Sequence, residues 1–406
     1  MSKDVKKTKV FRSESFIKMN ILLPYLVRWN SLNRSRYYQI LNCLASEGHE
    51  IHIVHPPLMK SKDTGFIETH EKLPENVSLH DLPINTFFWE TSLPFNKIIK
   101  KGYYCLKINS SSKALIKKYN IDVVVIYNMA LYPVTRLKNV LTVYDLGDDH
   151  IDLIAHELGI FSNKLTLSIA KKILKNTLIK SDVVFSVSQY LTKKYCEKSH
   201  ILPNGVTLED VHYGSGLEMR KKYKGPVIGF VGSLEYFISF DQIINVASSL
   251  RDYTFVIAGG GRQHDWILDE KKRLELDNLI LTGGLPHAEI LKHIDSFDIC
   301  LNLFKKSPLT HGACPIKLFE YMAFKKPIIS SRIDEVQRID KEFLYWADTS
   351  EELESVIQKI IDNPGEASKK VDKAYDILVE SYTWPQVASD FIKTTQNALK
   401  KKRAKS

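Results

Sequence analysis

Short apolar runs alternate with longer amphipathic stretches along most of this 406-residue chain. Apolar runs of about four to eight residues are typical of strands buried in a parallel sheet, and the stretches between them are typical of the helices that cover it. The sequence therefore predicts an α/β fold of two doubly wound, Rossmann-like domains that face each other across a cleft. The predicted strands are 19–24, 51–54, 123–126, 141–144 and 183–187 in the first domain, and 227–231, 254–258, 279–282, 299–303 and 327–330 in the second.

The segment Leu202-Pro-Asn-Gly-Val206 carries the strongest turn signal in the chain, and polar and basic residues follow it to about position 226. We therefore predict that the first domain comprises residues 1–205 and the second residues 206–382. Residues 383–406 are predicted to form a terminal helix and a basic tail, because Thr383-Trp-Pro385 places a proline near the first turn of a helix. We expect this helix to pack back on the first domain.

Composition and charge exclude several classes of protein. The five cysteines are scattered singly, which argues against a disulfide framework or a structural zinc site and predicts a reducing, cytoplasmic setting. No run approaches the ~20 apolar residues that a membrane-spanning helix needs. The net charge of +10 favours an anionic partner. Because no helix-turn-helix, RNA-binding or zinc-finger pattern accompanies this charge, we predict no nucleic acid partner.

The segment from Gly312 to Ser331 is the most informative part of the chain for function. Pro315 is predicted to open a helix whose N-terminal end presents backbone N–H groups to an anion. Lys317 and Glu320 lie three residues apart, and hence on one face of this helix. Lys317 can then meet a diphosphate, while Glu320 accepts two hydrogen bonds from a vicinal diol. The alternative is a surface ion pair between these two side chains, which stabilises little.

A second candidate anion-binding element follows the first strand of the second domain. There, Gly232 and Ser233 place backbone N–H groups where they can approach a phosphate closely. The alternative is that Gly232 serves only the tight turn between strand and helix. The loop 259–264 lacks the GxGxxG order of the dinucleotide fingerprint, and the chain lacks the GxxxxGK(S/T) motif, so a P-loop ATPase is not supported.

These segments together resemble a known family. Residues 315–329 follow the pattern Pro-x-Lys-x-x-Glu-Tyr-x-Ala-x-x-Lys-Pro-Ile-Ile. Together with the segments 202–206 and 230–233, this pattern resembles the nucleotide-sugar domain of GT-B glycosyltransferases. The resemblance is to the retaining family 4-like enzymes (glycosyl transferases group 1) in particular. The resemblance implies that Glu320 binds the ribose of the donor nucleotide. It also implies that the loop and helix start at 313–317 hold the donor phosphates, through residues Pro315, Ile316 and Lys317.

The chain departs from the family pattern in three places. Gly312 stands where the first glutamate of a Glu-x7-Glu motif is expected, and the family's arginine and lysine after the Gly232 loop are missing at 234–241. The glycine pair after the first strand is replaced by a segment that includes Arg34 and Arg36. We predict that one of these arginines supplies the missing charge at the donor phosphates, since charge-assisted bonds to phosphate are strong. The alternative is two solvated arginines at a helix start.

The segment Asp145-Leu-Gly-Asp148-Asp149-His150 follows a predicted strand, so its loop is expected to open on the cleft. Carboxylates beside a histidine indicate a metal site as one alternative. Such a group is more often a hydrogen-bonding cluster. The resemblance also implies that no metal is needed. We therefore predict that Asp148 and His150 are the catalytic residues and contact the sugar or the acceptor hydroxyl, and that no metal or other cofactor is bound. A nearby carboxylate can stabilise the oxocarbenium-like state of sugar transfer.

Two predicted helices of the first domain are rich in lysine and contain no acidic residue. Such helices fit an anionic membrane surface, to which each lysine contributes up to ~1 kcal/mol, although ordinary solvated helix faces explain them nearly as well. We favour peripheral attachment to the inner face of the membrane. The lysines are Lys97, Lys100, Lys101, Lys107, Lys113, Lys117 and Lys118 in the first helix, and Lys164, Lys171, Lys172, Lys175 and Lys180 in the second.

The residues and the resemblance together predict a cytoplasmic glycosyltransferase. It would move a hexose-type sugar from a nucleotide-diphosphate sugar to a glycan or lipid-linked acceptor, with retention, in the synthesis of a cell-surface polysaccharide or glycoconjugate. Two alternatives stay open. One is a nucleotide-sugar 2-epimerase of the same fold, which would need a dense set of acids and histidines between the domains and no acceptor. The other is a non-catalytic subunit that binds a nucleotide sugar.

Overall fold

The computed structural model describes residues 17–26, 29, 35–57, 73–84, 96–137, 139–158 and 162–405. Among these residues, the first sheet consists of β1 (Asn20–Pro24), β2 (Glu50–His55), β3 (Val77–Asp81), β4 (Val123–Ile126), β5 (Leu141–Leu146), β6 (Val183–Ser186) and β7 (His200–Ile201). The strands are parallel and lie in the order β3-β2-β1-β4-β5-β6-β7. The order reverses between β1 and β4, which makes this a doubly wound sheet.

The second sheet repeats this arrangement. It consists of β8 (Val227–Val231), β9 (Thr254–Ala258), β10 (Leu279–Leu281), β11 (Ile299–Asn302), β12 (Ile328–Ser330) and β13 (Tyr345–Trp346). These strands are also parallel, in the order β10-β9-β8-β11-β12-β13, and the order reverses between β8 and β11. The predicted α/β fold with two doubly wound domains is confirmed. The two sheets lie on either side of position 205, while the predicted domain bounds themselves stay a prediction.

Helices cover both sheets. Short 3-10 helices also occur at Met129–Arg136 and Leu208–Asp210. The α-helices are α1 (Arg36–Ser46), α2 (Asn96–Tyr119), α3 (His150–Leu158), α4 (Lys164–Lys180), α5 (Gln189–Tyr195), α6 (Leu217–Arg220), α7 (Phe240–Ser249), α8 (His264–Arg273), α9 (His287–Ser296), α10 (Pro308–His311), α11 (Ile316–Ala323), α12 (Asp334–Ile339), α13 (Ser350–Asp362), α14 (Pro364–Ser381) and α15 (Trp384–Arg403).

The terminal helix α15 returns to the first domain. Thr383 and Gln386 form a capping box at its start, which satisfies backbone groups that the helix leaves unpaired. Its buried side chains join the core formed with α1 and one face of the first sheet, and burial of one such side chain stabilises by about 1.5–3 kcal/mol. The expected packing of this helix on the first domain is therefore confirmed. The buried residues are Trp384, Val387, Phe391 and Leu399.

The two connections between the domains lie side by side. Val206 accepts a hydrogen bond from the backbone N–H of Trp384 at 3.1 Å, and its own N–H donates to the carbonyl of Tyr382 at 3.0 Å. The chain thus leaves the first domain and returns to it at one place.

All five cysteines are free thiols, as the scattered spacing predicts.

Candidate active site

Helix α11 is fixed at the switch point of the second sheet. The buried hydroxyl of Tyr321 accepts a hydrogen bond from the N–H of Val231 at 3.0 Å and donates to the carbonyl of Leu301 at 3.2 Å. These residues belong to β8 and β11, between which ligands bind in sheets of this kind. Pro315 immediately precedes the helix, as predicted. The first turns of α11 therefore place Lys317 and Glu320 at the carboxyl edge of the sheet.

The ammonium group of Lys317 lies among apolar groups. Its Nζ is 3.7 Å from the ring centroid of Phe230, and no ion pair or hydrogen bond of this group is found among the described residues. Nζ also lies 3.2 Å from the point where a Cβ on Gly232 would be, and φ at Gly232 is +125°, so both space and backbone favour glycine there. Burial lowers the pKa of Lys317 to about 7, although the charge of Glu320 opposes the change. This cation is held without a counter-ion beside an open turn.

Glu320 does not pair with Lys317. It is 7% exposed, and its Oε1 lies 2.9 Å from Nε2 of His287. His287 is the first residue of α9 and follows the turn at 282–286. The sequence contains no signal for this contact beyond a single histidine after a proline. Both side chains line a pocket at the junction of the domains, together with Gln39, Val206, Thr207, Leu291, Ile316 and Trp384.

The turn after β8 differs from the prediction in one respect. The N–H of Gly232 donates to the carbonyl of Ala258 at 3.0 Å, so in this structure it is not free to contact a phosphate. Ser233 is exposed at the same turn. Gly232 therefore provides open space next to Lys317, rather than a donor.

Asp148 and His150 lie between the end of β5 and the start of α3. Asp148 has an exposed surface. The protein packed around its carboxyl nevertheless disfavours the charged form and raises its pKa to about 6. His150 is buried, and burial lowers its pKa to about 4. Its ring donates a hydrogen bond to the carbonyl of Tyr127, while Nε2 has no partner among the described residues. Neutral His150 thus holds a buried acceptor nitrogen that has no partner among the described residues.

Helix α3, which follows β5, meets the loop that follows β8 across the cleft. His156 in α3 stacks on Tyr236 of the second domain, with ring centroids 3.2 Å apart and planes 1° from parallel. The carboxyl edges of the two sheets therefore face each other, with Asp148 and His150 on one side and Lys317 and Glu320 on the other.

Arg36, one of the two arginines predicted to meet the donor phosphates, uses its N–H donors within the protein in this structure, so the prediction now rests on Arg34. Its Nε and Nη2 donate to the two carboxylate oxygens of Asp145, at 2.7 and 3.0 Å. Its remaining N–H groups donate to the carbonyls and the asparagine side chain of the segment 202–204. A guanidinium group has five N–H donors, and all are used within the protein. Arg36 attaches the connecting segment to the first domain, and Arg34 lies outside the described residues.

Comparison with known proteins identifies the fold. Residues 225–363 match the family model described as Glycosyl transferases group 1. The structure resembles sucrose-phosphate synthase from Thermosynechococcus elongatus with a TM-score of 0.74 at 15% identity, over 94% of this chain and 99% of that one. The chain has the GT-B fold, and residues 225–363 are similar to the group 1 glycosyltransferases.

Two curated relatives match shorter stretches of this GT-B protein. A Bacillus subtilis protein named as a glycosyltransferase of teichuronic acid biosynthesis is 26% identical over 211 residues, which are 48% of this chain and 53% of that protein. The O-antigen chain mannosyltransferase C of Escherichia coli is 28% identical over 161 residues, which are 38% of this chain and 42% of that protein. These matches span about half the length of the relatives or less.

The structure explains why this GT-B protein has glycine at position 312. A Cβ there would lie 3.0 Å from Cδ2 of Leu191 and 3.1 Å from Cδ1 of Tyr190, both in α5 of the first domain. A glutamate at this position would require these two side chains to shift by a few tenths of an ångström. The neighbouring contact is also tight, since Glu335 accepts the N–H of Gln189 at 2.9 Å. Position 312 therefore serves the contact between the domains.

Proposed function

We propose that this protein transfers a sugar from a nucleotide-diphosphate sugar to a glycan or lipid-linked acceptor, in the synthesis of a cell-surface polysaccharide or glycoconjugate. One observation carries the proposal: the start of α11 combines the unpaired ammonium group of Lys317 with the buried carboxylate of Glu320. The ammonium group can donate charge-assisted hydrogen bonds to a diphosphate, and the carboxylate can accept hydrogen bonds from a ribose diol. The names of the two curated relatives support this class of product.

On this proposal, the donor diphosphate lies at the N-terminal turn of α11. The helix dipole and Lys317 then stabilise the charge that develops on the leaving diphosphate. The bond between the anomeric carbon and the diphosphate oxygen breaks, and a bond to the acceptor hydroxyl oxygen forms. In a retaining reaction the departing phosphate oxygen takes the acceptor proton, so no separate base is required.

Asp148 and His150 are proposed to act on the other side of the cleft. Because the pKa of His150 is lowered to about 4, its ring is a weak base and suits accepting a hydrogen bond from a sugar or acceptor hydroxyl. The pKa of Asp148 is raised to about 6, so most of its carboxyl is ionised at pH 7. It can therefore offer negative charge to the oxocarbenium-like state.

A transfer assay tests this function and its alternatives. Radiolabelled UDP-, GDP- and ADP-sugars are incubated with the protein and with lipid-linked or free oligosaccharide acceptors, and we expect label to pass to one acceptor class. Conversion of the donor to its 2-epimer without any acceptor would instead identify an epimerase. Donor binding with neither hydrolysis nor transfer would identify a binding subunit.

We propose that no metal ion takes part in the reaction. Asp149, next to the proposed catalytic residues, accepts hydrogen bonds from Nζ of Lys194 and the hydroxyl of Tyr195, each at 2.5 Å. Within the described part of the chain, no three His, Cys, Asp or Glu residues are grouped so as to hold a metal. Transfer should therefore keep its rate in EDTA. A strict requirement for a divalent cation that disappears in Asp148→Ala would contradict this.

We further propose that α4 attaches the first domain to an anionic membrane surface. Leu165, Ile169 and Ile179 on this helix are 69%, 52% and 69% exposed, and its five lysines are accompanied by no acidic residue. Exposed aliphatic side chains flanked by lysines fit shallow insertion at an anionic bilayer. In the portion of the chain that the structure describes, no helix has the length and apolar content to cross a membrane. The side chains of Lys97, Lys100 and Lys101 in α2 lie outside that portion.

Sedimentation with lipid vesicles tests the membrane proposal. Wild type should bind phosphatidylserine-containing vesicles, bind neutral vesicles little, and be released at about 1 M salt, where the screening length is about 3 Å. The double variant Leu165→Gln/Ile169→Gln and the variant with Lys97, Lys100, Lys101 and Lys107 changed to Glu should both lose binding. Leu217→Gln, which removes an exposed leucine from the second domain, is the control. Equal binding by all proteins, or by none, would favour a soluble acceptor.

A further inference from the structure

His287 lies beside Glu320 in the pocket at the junction of the domains. It is the first residue of α9, and the turn at 282–286 immediately precedes it. Its side chain is 23% exposed, whereas that of Glu320 is 9% exposed. Both side chains line the pocket at the junction of the domains. The histidine is thus the more accessible member of a largely buried pair.

The direction of the hydrogen bond follows from the chemistry of the two groups. An ionised carboxylate only accepts, so Nε2 of His287 carries the hydrogen and donates to Oε1 of Glu320 at 2.9 Å. A carboxylate offers about four lone-pair positions, and His287 uses one of them. No other hydrogen bond to this carboxylate is found among the described residues. The remaining positions, including both on Oε2, are free for a ligand with two adjacent hydroxyl groups.

Without His287, this carboxylate would be a buried charge with no partner. Such a group rotates towards water, which turns its lone pairs away from the diol. The backbone of α11 does not prevent this, because it fixes only the Cα of Glu320. The contact with His287 therefore sets the orientation of the group that meets the diol.

We propose that His287 is a positioning residue that makes the pocket selective for ribonucleotides over 2′-deoxyribonucleotides. It holds Oε1 of Glu320, so that the free lone pairs of the carboxylate accept the 2′- and 3′-hydroxyl groups together. This inference rests on the proposed function, because it assumes that the pocket takes the nucleoside part of the donor. His287 acts through Glu320 and needs no contact with the reacting atoms.

Calorimetric titration tests the inference with paired probes: UDP and dUDP, GDP and dGDP, ADP and dADP. For the preferred base, wild type should bind the ribonucleotide about tenfold more tightly than the deoxy analogue, as expected for one charge-assisted hydrogen bond. His287→Ala should lose most of this preference by weakening the ribonucleotide more than the deoxy analogue, which has only the 3′-hydroxyl to lose. His287→Gln, whose amide can donate to Oε1, should restore it. Lys292→Ala, which breaks a solvent-facing pair with Glu289 on the same helix, should behave as wild type.

Two results would overturn the inference while leaving the proposed function intact. In the first, His287→Ala keeps the full ribose preference. In the second, it weakens the ribonucleotide and the deoxy analogue equally, which would make the histidine a purely structural or base-contacting residue. If wild type binds no member of any pair, the proposed function itself fails, and the inference fails with it. Circular dichroism of each variant confirms that a lost preference is not a loss of fold.

Discussion

Changing Glu320 to alanine is expected to weaken nucleoside diphosphate binding about 100-fold or more. The side chain of Glu320 is 9% exposed, and its carboxylate is proposed to accept two hydrogen bonds from the ribose. Hydrogen bonds to charged groups contribute about 1.5–3 kcal/mol each, and loss of both therefore exceeds the ~2.7 kcal/mol that corresponds to 100-fold. Isothermal titration calorimetry with UDP, GDP and ADP measures the change, and sugar transfer should fall with it.

The matched control is Glu289→Ala. Glu289 lies on the outer face of α9 and forms a surface pair with Lys292 at 2.7 Å, so its removal should leave nucleotide binding unchanged. Both variants should melt as folded proteins. If Glu320→Ala binds every nucleoside diphosphate as tightly as wild type, the ribose assignment is wrong.

Changing Lys317 to methionine is expected to remove most of the affinity for the diphosphate part of the donor. Nucleotide sugars should bind more than tenfold less tightly, because one charge-assisted bond to phosphate is lost, whereas the free nucleoside should bind as before. In wild type, affinity for the nucleotide sugar should fall as the pH rises above about 7, because the ammonium group then loses its proton. The variant should show no such fall between pH 7 and 9. A pH profile shared by both proteins would exclude Lys317 as the phosphate-binding cation.

The lowered pKa of Lys317 also predicts an effect on stability. Its ordinary pKa is 10.5, so between about pH 7 and 10.5 the unfolded chain binds more protons at this site than the folded protein. The contribution of Lys317 to the free energy of unfolding therefore rises with pH through this window, and below pH 7 the folded protein bears the full cost of the buried charge. Lys317→Met should accordingly raise the free energy of unfolding of the ligand-free protein at pH 6, and raise it less at pH 9. If the variant is less stable than wild type at pH 6, burial of the charged ammonium group does not destabilise the folded protein as predicted.

The strands that lie inside the sheets and the edge strand β10 could be predicted from sequence, whereas the edge strands β3, β7 and β13 could not. Runs such as 123–126 and 227–231 are apolar throughout because neighbours cover them on both faces. Edge strand β3 is only partly buried and contains His80 and Asp81, so its sequence has no apolar run. β7 and β13 are two residues each, too short for any periodic pattern. Their positions follow from pairing with the strand beside them.

The site residues that could be predicted from sequence are likewise those that depend on local spacing, and the missed ones depend on contacts between distant segments. Lys317 and Glu320 could be predicted together because three-residue spacing on a helix is a local property. The use of Arg36 could not, since its partners Asp145 and the segment 202–204 are more than 100 residues away. His287 was missed for the same reason, because it meets Glu320 only after α9 and α11 pack side by side. The sequence predicts the residues of one element, and packing decides which residues of other elements they contact.

The central claim is that the start of α11 holds the diphosphate and the ribose of a donor. Thermal unfolding in the presence of nucleotides tests this claim most directly. One of UDP, GDP and ADP should raise the melting temperature, since a ligand at 100 times its dissociation constant adds ~2.7 kcal/mol to the free energy of unfolding. The corresponding nucleoside should stabilise less, and the double variant Lys317→Met/Glu320→Ala should not respond. The claim is contradicted if no nucleoside diphosphate raises the melting temperature of wild type, or if the double variant responds as wild type does.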